Sequence, residues 1–206
     1  MMKTKLAKYL LSIKAVELRP ENPFTWASGI KSPIYCDNRH TLSFPEVRNF
    51  IKKMFSDFIK QNYPDANIIA GVATGAIAHG VLVADYLGLP FVYVRPKAKE
   101  HGRQNLIEGK LPENAKIVVI EDLISTGGSS LSAVEALKET NAEVLGLIAI
   151  FSYGFDIATE KFNEANCKFD TLTNYSSLIK VAKEKKYIEN KHIEILNDWR
   201  EQFVSS

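Results

Sequence analysis

The stretch VVIEDLISTGGSS, Val118–Ser130, decides the fold. Val118, Val119 and Ile120, all β-favouring, run straight into two acids, Glu121 and Asp122. A loop with Thr126, Gly127 and Gly128 follows, and then the start of a helix. Acids this close to an apolar strand are costly unless something binds them. The paired glycines let the backbone turn tightly, with φ > 0 accessible and no Cβ in the way. The helix behind them offers unpaired N–H groups and the positive end of its dipole, which suits a phosphate. Ser125, Thr126, Ser129 and Ser130 add hydroxyls. Glu121 and Asp122 would repel that phosphate, but they can accept hydrogen bonds from sugar hydroxyls or hold a hydrated cation. One motif thus has an anion end and a polyol-or-metal end, which fits a ribose 5-phosphate. The bland alternative is a solvated turn with Ser/Thr caps. The lysine of GxxxxGK[ST] and the spacing of GxGxxG are both missing, so the motif is neither a P-loop nor a dinucleotide fingerprint.

Outward from this stretch the chain alternates. NIIAGVA, PFVYVR, KIVVIED, EVLGLIAIF and KFDTLT have strand composition. GAIAHGVLVADYL, ending at Gly88, and GSSLSAVEALKET have helical composition, and further helices are expected over 176–185 and 191–203. That order argues for a parallel sheet covered on both faces. Before it, SFPEVRNFIKKMFSDFIKQNY predicts a long helix with Ser43 as N-cap and Pro45 in its first turn. Residues 3–16 have the apolar spacing of an amphipathic helix. The first 40 or so residues do not share the alternation and are expected to form a small lobe. AGVATGAIAHG and VIEDLISTGGSS both run strand, Thr-Gly loop, helix. In an open parallel sheet both loops lie at the carboxyl edge, where ligands bind as the strand order reverses.

The bulk numbers allow this and exclude other classes. The chain has 206 residues, 46% of them hydrophobic, which is enough to bury one large core. A net charge of +2 gives no broad nucleic-acid patch, so any basic site must be local. Cys36 and Cys167 are far apart, without metal spacing, as expected of free thiols in a reducing compartment. The N-terminus lacks the apolar run and cleavage site of a signal peptide, and no run approaches a membrane span, so a cytoplasmic protein is expected.

The local basic site is VYVRPKAKEHGRQNLIEG, Val92–Gly109, with Arg95, Lys97, Lys99 and Arg103 against the single acid Glu100, and His101 besides. Alone it would be a solvated loop. Beside a phosphoribose site it could close over a pyrophosphate, exclude water and neutralise developing charge.

The Val118–Ser130 stretch closely resembles the phosphoribosyl-pyrophosphate (PRPP) signature of type I phosphoribosyltransferases. The basic segment resembles the Arg-x-x-x-Lys-x-His-Gly loop of orotate phosphoribosyltransferases. SGIKSPIYCDNR resembles that family's N-terminal segment, and LNDWREQF its C-terminal helix. The likeness spans almost the whole chain and is nearest to the Gram-positive bacterial version.

The resemblance implies an α/β type I fold over residues 1–206. It has a central parallel five-stranded sheet flanked by helices, a hood mainly from about 1–42 and a core from about 43–206. It implies transfer of phosphoribose from PRPP to orotate, Mg²⁺ bound through PRPP and water, and a homodimer sharing the basic loop across subunits. Arg95, Lys99 and His101 match the pyrophosphate-contacting positions. Glu121, Asp122, Leu123, Ile124, Ser125, Thr126, Gly127, Gly128 and Ser129 match the PRPP loop. Lys31, Tyr35 and Ser125 match orotate contacts, and Lys99 and Asp122 are the expected catalytic residues.

Three positions depart from the pattern. Pro96 replaces a second loop lysine, with Lys97 one position on. VATGAIA lacks a lysine, leaving Thr74, Gly75 and backbone amides. Tyr153 lies near the usual place of an arginine that grips the orotate carboxylate, so its hydroxyl or hood amides would take that role. Enzymes of the class that use another base, and PRPP-sensing regulators of the same fold, are the alternatives.

Overall fold

The computed structural model describes residues 2–26, 29–96 and 106–202. In chain order these form α1 (Met2–Ser12), β1 (Val16–Leu18), β2 (Phe24–Thr25), β3 (Lys31–Ser32), β4 (Ile34–Cys36) and a 3-10 helix (Asn38–Ser43). Then come α2 (Pro45–Asn62), β5 (Ile68–Val72), α3 (Ile77–Leu87), β6 (Phe91–Val94), β7 (Ile107–Glu108) and β8 (Lys116–Ile124). The rest is α4 (Gly128–Lys138), β9 (Glu143–Ser152), α5 (Asp156–Glu164), β10 (Phe169–Asn174), α6 (Tyr175–Glu184) and α7 (Asn190–Gln202).

The main sheet has the order β10-β9-β8-β5-β6-β7. Its first five strands are parallel, and the two-residue β7 adds an antiparallel edge. The expected five-stranded parallel sheet is therefore present with one short strand more. From β5 the chain first builds outward through β6, then crosses to β8 on the other side. The strand order thus reverses between β5 and β8, and a crevice opens there at the carboxyl ends of the strands.

Both faces of the sheet are dry, because alternate residues of one strand feed different cores. Val118 and Ile120 join the core of α1, α2, α3 and α6, whereas Ile117 and Val119 join that of α4 and α5. Each fully buried Val or Ile contributes roughly 1.5–3 kcal/mol. Helix α2 buries Val47, Ile51, Met54, Phe55 and Ile59, the spacing of one helical face.

Two local expectations need correction. Ser43 does not cap α2; it closes the 3-10 helix, and Phe44 precedes a helix that starts on Pro45. Proline at the first helical position has no N–H to satisfy, which relieves the need for a side-chain cap. Helix α5 was not anticipated. Its nine residues bury only Ala158 and Phe162, too few to show a period.

Two small antiparallel hairpins, β1 with β4 and β2 with β3, stand apart from the main sheet. Helix α1 does not belong with them: it packs on α6 and β10, and Thr173 Oγ1 donates to the Lys3 carbonyl. From the far end of the chain, α7 holds the β2–β3 hairpin, with Trp199 Nε1 donating to the Lys31 carbonyl at 3.1 Å.

Candidate active site

A cavity of about 560 Å³ opens at the β5/β8 reversal. Cys36 at the end of β4 with 37 and 39 behind it, Val72 at the end of β5 with 73–75 behind it, 121–123 of β8 and 125–130 around the start of α4 line it. The expected acid-glycine motif and the second Thr-Gly loop therefore meet in one place.

Strand β8 runs on to Ile124, so both acids sit within the strand rather than in the loop. Successive strand residues point to opposite faces, which separates their surroundings. Glu121 is buried: its Oε2 accepts from Ser130 Oγ at 2.8 Å and its Oε1 from the Asp122 N–H at 2.9 Å. Burial, and then the neighbouring Asp122 carboxylate, push the Glu121 carboxyl well above its ordinary range. Ser130, expected as a ligand hydroxyl, thus spends its proton on Glu121 and clamps β8 to α4. Asp122 is half-buried and lies directly against Gly75. A Cβ at position 75 would fall 2.3 Å from Asp122 Oδ2. The loop before it turns through a cis Ala73–Thr74 peptide.

Gly127, at φ +79°, turns the chain from β8 into α4, and a Cβ there would meet the Phe162 ring at 2.9 Å. Only glycine tolerates both conditions. The first N–H groups of α4 have no partners within the helix, which makes this end of the cavity attractive to an anion. The hydroxyls of Ser125, Thr126 and Ser129 flank it.

Three further residues had been passed over. Asp37 and Arg39 line the cavity as a bidentate ion pair, with Nε to Oδ1 at 2.7 Å and Nη2 to Oδ2 at 2.8 Å. Asn38 is buried between them and donates from Nδ2 to the Asp122 carbonyl at 2.6 Å. The signal was the run Cys-Asp-Asn-Arg directly behind a strand, but nothing local shows what that run faces.

Asn38 also starts a buried polar chain. Thr41 Oγ1 donates to the Asn38 carbonyl at 2.5 Å and lies 3.0 Å from His79 Nε2. Since the hydroxyl proton is used, the imidazole must donate from Nε2, and its buried Nδ1 is left without a partner. Desolvation lowers His79 to about 4, so the ring is neutral at physiological pH. An unfolded chain takes up that proton near pH 6.5 and the folded one near 4, so stability falls as pH drops through that window. The shift corresponds to roughly 3 kcal/mol. Denaturant unfolding at pH 7 and pH 4 should show the wild type losing that much more than His79→Gln. Parallel losses would mean that the ring is not held neutral.

The hood residues stand differently. Lys31 is exposed and donates from Nζ to Thr25 Oγ1 at 2.6 Å, within its own hairpin. Tyr35 is 41% exposed, its ring 5.5 Å from that of Phe24. Neither lines the cavity. Tyr153 is 2% exposed and stacked on Phe155 at 5.4 Å, with Trp26, Phe151 and Trp199 around it. Burial pushes its phenol far up. For the expected carboxylate grip, by its hydroxyl or by hood amides, the structure places this side chain as a buried core aromatic that does not itself line the cavity.

Arg95 borders an adjoining cavity of about 180 Å³, which shares Val72, Ala73 and Ser129 with the large one. Its Nη1 lies 3.5 Å from Glu108 Oε1, yet it is buried with no hydrogen bond among the described residues. The ion pair is thus too loose to satisfy that donor. Lys99 and His101 lie outside the described residues.

Among the described residues, no three His, Cys, Asp or Glu come together to cage a metal, and no helix is long and apolar enough to cross a membrane.

The phosphoribosyl transferase domain family matches residues 38–182. The chain is 57% identical to orotate phosphoribosyltransferase of Listeria innocua and 54% identical to that of Porphyromonas gingivalis. Each match covers 95% of this chain and 93% of the relative. Among solved structures, orotate phosphoribosyltransferase from Aeropyrum pernix superposes with TM-score 0.76 at 25% identity, over 89% of this chain and 99% of that one. UMP synthase of Leishmania donovani superposes with TM-score 0.81 at 23% identity, over 98% of this chain, which spans only 43% of that longer one. Sequence identity sustained along the chain, on a phosphoribosyltransferase fold with its acid-glycine cavity intact, makes the chain a member of the orotate phosphoribosyltransferase family.

Proposed function

We infer that the chain is an orotate phosphoribosyltransferase that forms orotidine 5′-monophosphate and pyrophosphate from PRPP and orotate, within de novo pyrimidine synthesis. The observation that carries this is the cavity at the β5/β8 reversal, with Asp122 on one wall and the hydroxyl-rich start of α4 on another. Residues 125–129 hold the 5-phosphate, and the Asp122 carboxylate accepts from the ribose hydroxyls. Lys31, Tyr35 and Ser125 take the base.

A deprotonated ring nitrogen of orotate attacks the anomeric carbon as that carbon's bond to pyrophosphate breaks, and pyrophosphate leaves with the electron pair. No protein acid or base is needed, so the chain's contribution is positioning and charge stabilisation. Arg95, Lys99 and His101 face the leaving pyrophosphate. Mg²⁺ fits this lining: with Asp37 tied to Arg39 and Glu121 to Ser130, Asp122 is left to suit a cation held mainly through PRPP and water. When bound, it would neutralise charge on the pyrophosphate and ribose oxygens. Two such chains form a homodimer in which the basic loop serves the neighbour's site. Multiply charged substrates that cannot cross a bilayer suit a cytoplasmic setting.

PRPP with Mg²⁺ should cause time-dependent loss of orotate absorbance, and omission of either should abolish it. Turnover of hypoxanthine, adenine or uracil in place of orotate would reassign the base. PRPP binding without turnover of any base would indicate a sensor.

A further inference from the structure

We propose that Arg39 determines the base specificity of this site by taking the orotate carboxylate end-on. The proposal deepens the activity inferred above and rests on it.

The requirement comes from the cavity's own charge. Its described lining carries the carboxylates of Asp37 and Asp122, the buried carboxyl of Glu121, and one cation, Arg39. An anionic base that enters such walls needs a positive partner, and Tyr153, packed among Phe155, Trp26 and Trp199, offers no charge. Lys31, one of the residues that take the base, holds its ammonium on Thr25 in the hairpin and lies outside the described lining, so it is not the cation on these walls.

Arg39 is built for a second carboxylate. A guanidinium has five N–H bonds in a planar fork. Asp37 occupies the side-on pair, Nε and one bond of Nη2. The end-on pair, Nη1 with the remaining bond of Nη2, carries no acceptor among the described residues, and the side chain is 61% exposed. That open edge has the two-point spacing of a carboxylate. Asp37 is only 14% exposed, and its Oδ1 also accepts the Arg39 backbone N–H at 3.1 Å, so the guanidinium is held in one orientation. Such fixing reduces the entropy lost when a ligand binds.

Position separates the carboxylate from the phosphates. Arg39 follows β4, on the wall that the hood strand supplies, whereas the phosphate end belongs to α4. A guanidinium already half-neutralised by Asp37 also suits a singly charged carboxylate better than a doubly charged phosphate.

The test is steady-state kinetics of the wild type, Arg39→Gln and Arg39→Lys with PRPP and either orotate or uracil, which is orotate without its carboxylate. Where uracil turns over too slowly, it is measured as a competitor of orotate. Arg39→Gln should raise the KM for orotate by roughly ten- to a hundredfold, the worth of a charge-assisted contact. The KM for PRPP and the constant for uracil should move less than threefold, so the preference for orotate over uracil collapses. Arg39→Lys should recover only part, because an ammonium lacks the fork. A rise confined to the KM for PRPP, or equal losses with orotate and uracil, would overturn the assignment. A wild type that never consumes orotate would instead remove the activity on which the proposal depends.

Discussion

Gly75→Ala is expected to cut kcat/KM for PRPP by about a hundredfold while leaving the fold in place. The added Cβ would lie 2.3 Å from Asp122 Oδ2 and 2.4 Å from its Cγ, so one of them must move. The backbone around residue 75 is tied down: Ala73 donates to the Val94 carbonyl, and Ile77 donates to Thr74. The Asp122 backbone is tied as well, through β8 and through Asn38 at its carbonyl. The end of the Asp122 side chain is the part that yields. Swinging a short side chain costs little stability, but it carries the carboxylate away from the position proposed for it against the ribose hydroxyls. A displacement on the scale of 1 Å can cost about a hundredfold in rate. Melting temperature and PRPP titration should therefore separate, the first nearly unchanged and the second much weaker. Because the effect runs through Asp122, the double variant Gly75→Ala/Asp122→Asn should be little worse than Asp122→Asn alone. Fully additive losses would mean that Gly75 acts by some other route.

The same contact shows why part of this site was legible in the sequence and part was not. The acids, the glycine turn and the serine-rich helix start lie within one short stretch, and each carries its meaning locally. Gly127 illustrates this, since a φ of +79° before a helix is a demand that only the backbone makes. Strand and helix order followed from composition, because both faces of the sheet are buried and the strands are nearly all apolar. What failed was non-local. Gly75 looks like any loop glycine until Asp122 arrives from the neighbouring strand. The run Cys36-Asp37-Asn38-Arg39 is an ordinary polar turn until β4 is placed at the mouth of the cavity. Tyr153 could be aligned with a functional position, but the sequence does not show that Trp199, near the far end of the chain, closes over it. Glu121 and Asp122 are adjacent and chemically alike. Only the alternation of β8 makes one a buried clamp and leaves the other half-buried against Gly75.

Lys99→Ala is expected to have the largest effect, lowering kcat by roughly two to three decades, the scale of losing one preorganised stabiliser. PRPP binding should suffer less, since 125–129, Asp122 and Arg95 remain. The reasoning is chemical. Pyrophosphate gains negative charge as its bond to ribose breaks, so a cation there counts for more in the transition state than in the bound substrate. Arg95 shows that this side of the site already carries an underused donor: its Nη1 is buried, and Glu108 does not satisfy it. The basic segment leaves the sheet after Arg95 and returns at Leu106, where the Arg95 N–H donates to the Leu106 carbonyl at 2.8 Å. Arg95, from which it departs, lines an adjoining cavity together with Ser129. Whether Lys99 serves its own site or its neighbour's is decided by mixing. Lys99→Ala and Asp122→Asn subunits are each expected to be nearly inactive. In a mixed dimer with a shared loop, one site carries both defects and the other carries neither, so activity should return toward a quarter of wild type once subunits have exchanged at random. Exchange verified by pulldown of differently tagged chains, with no recovered activity, would show that each chain uses its own Lys99.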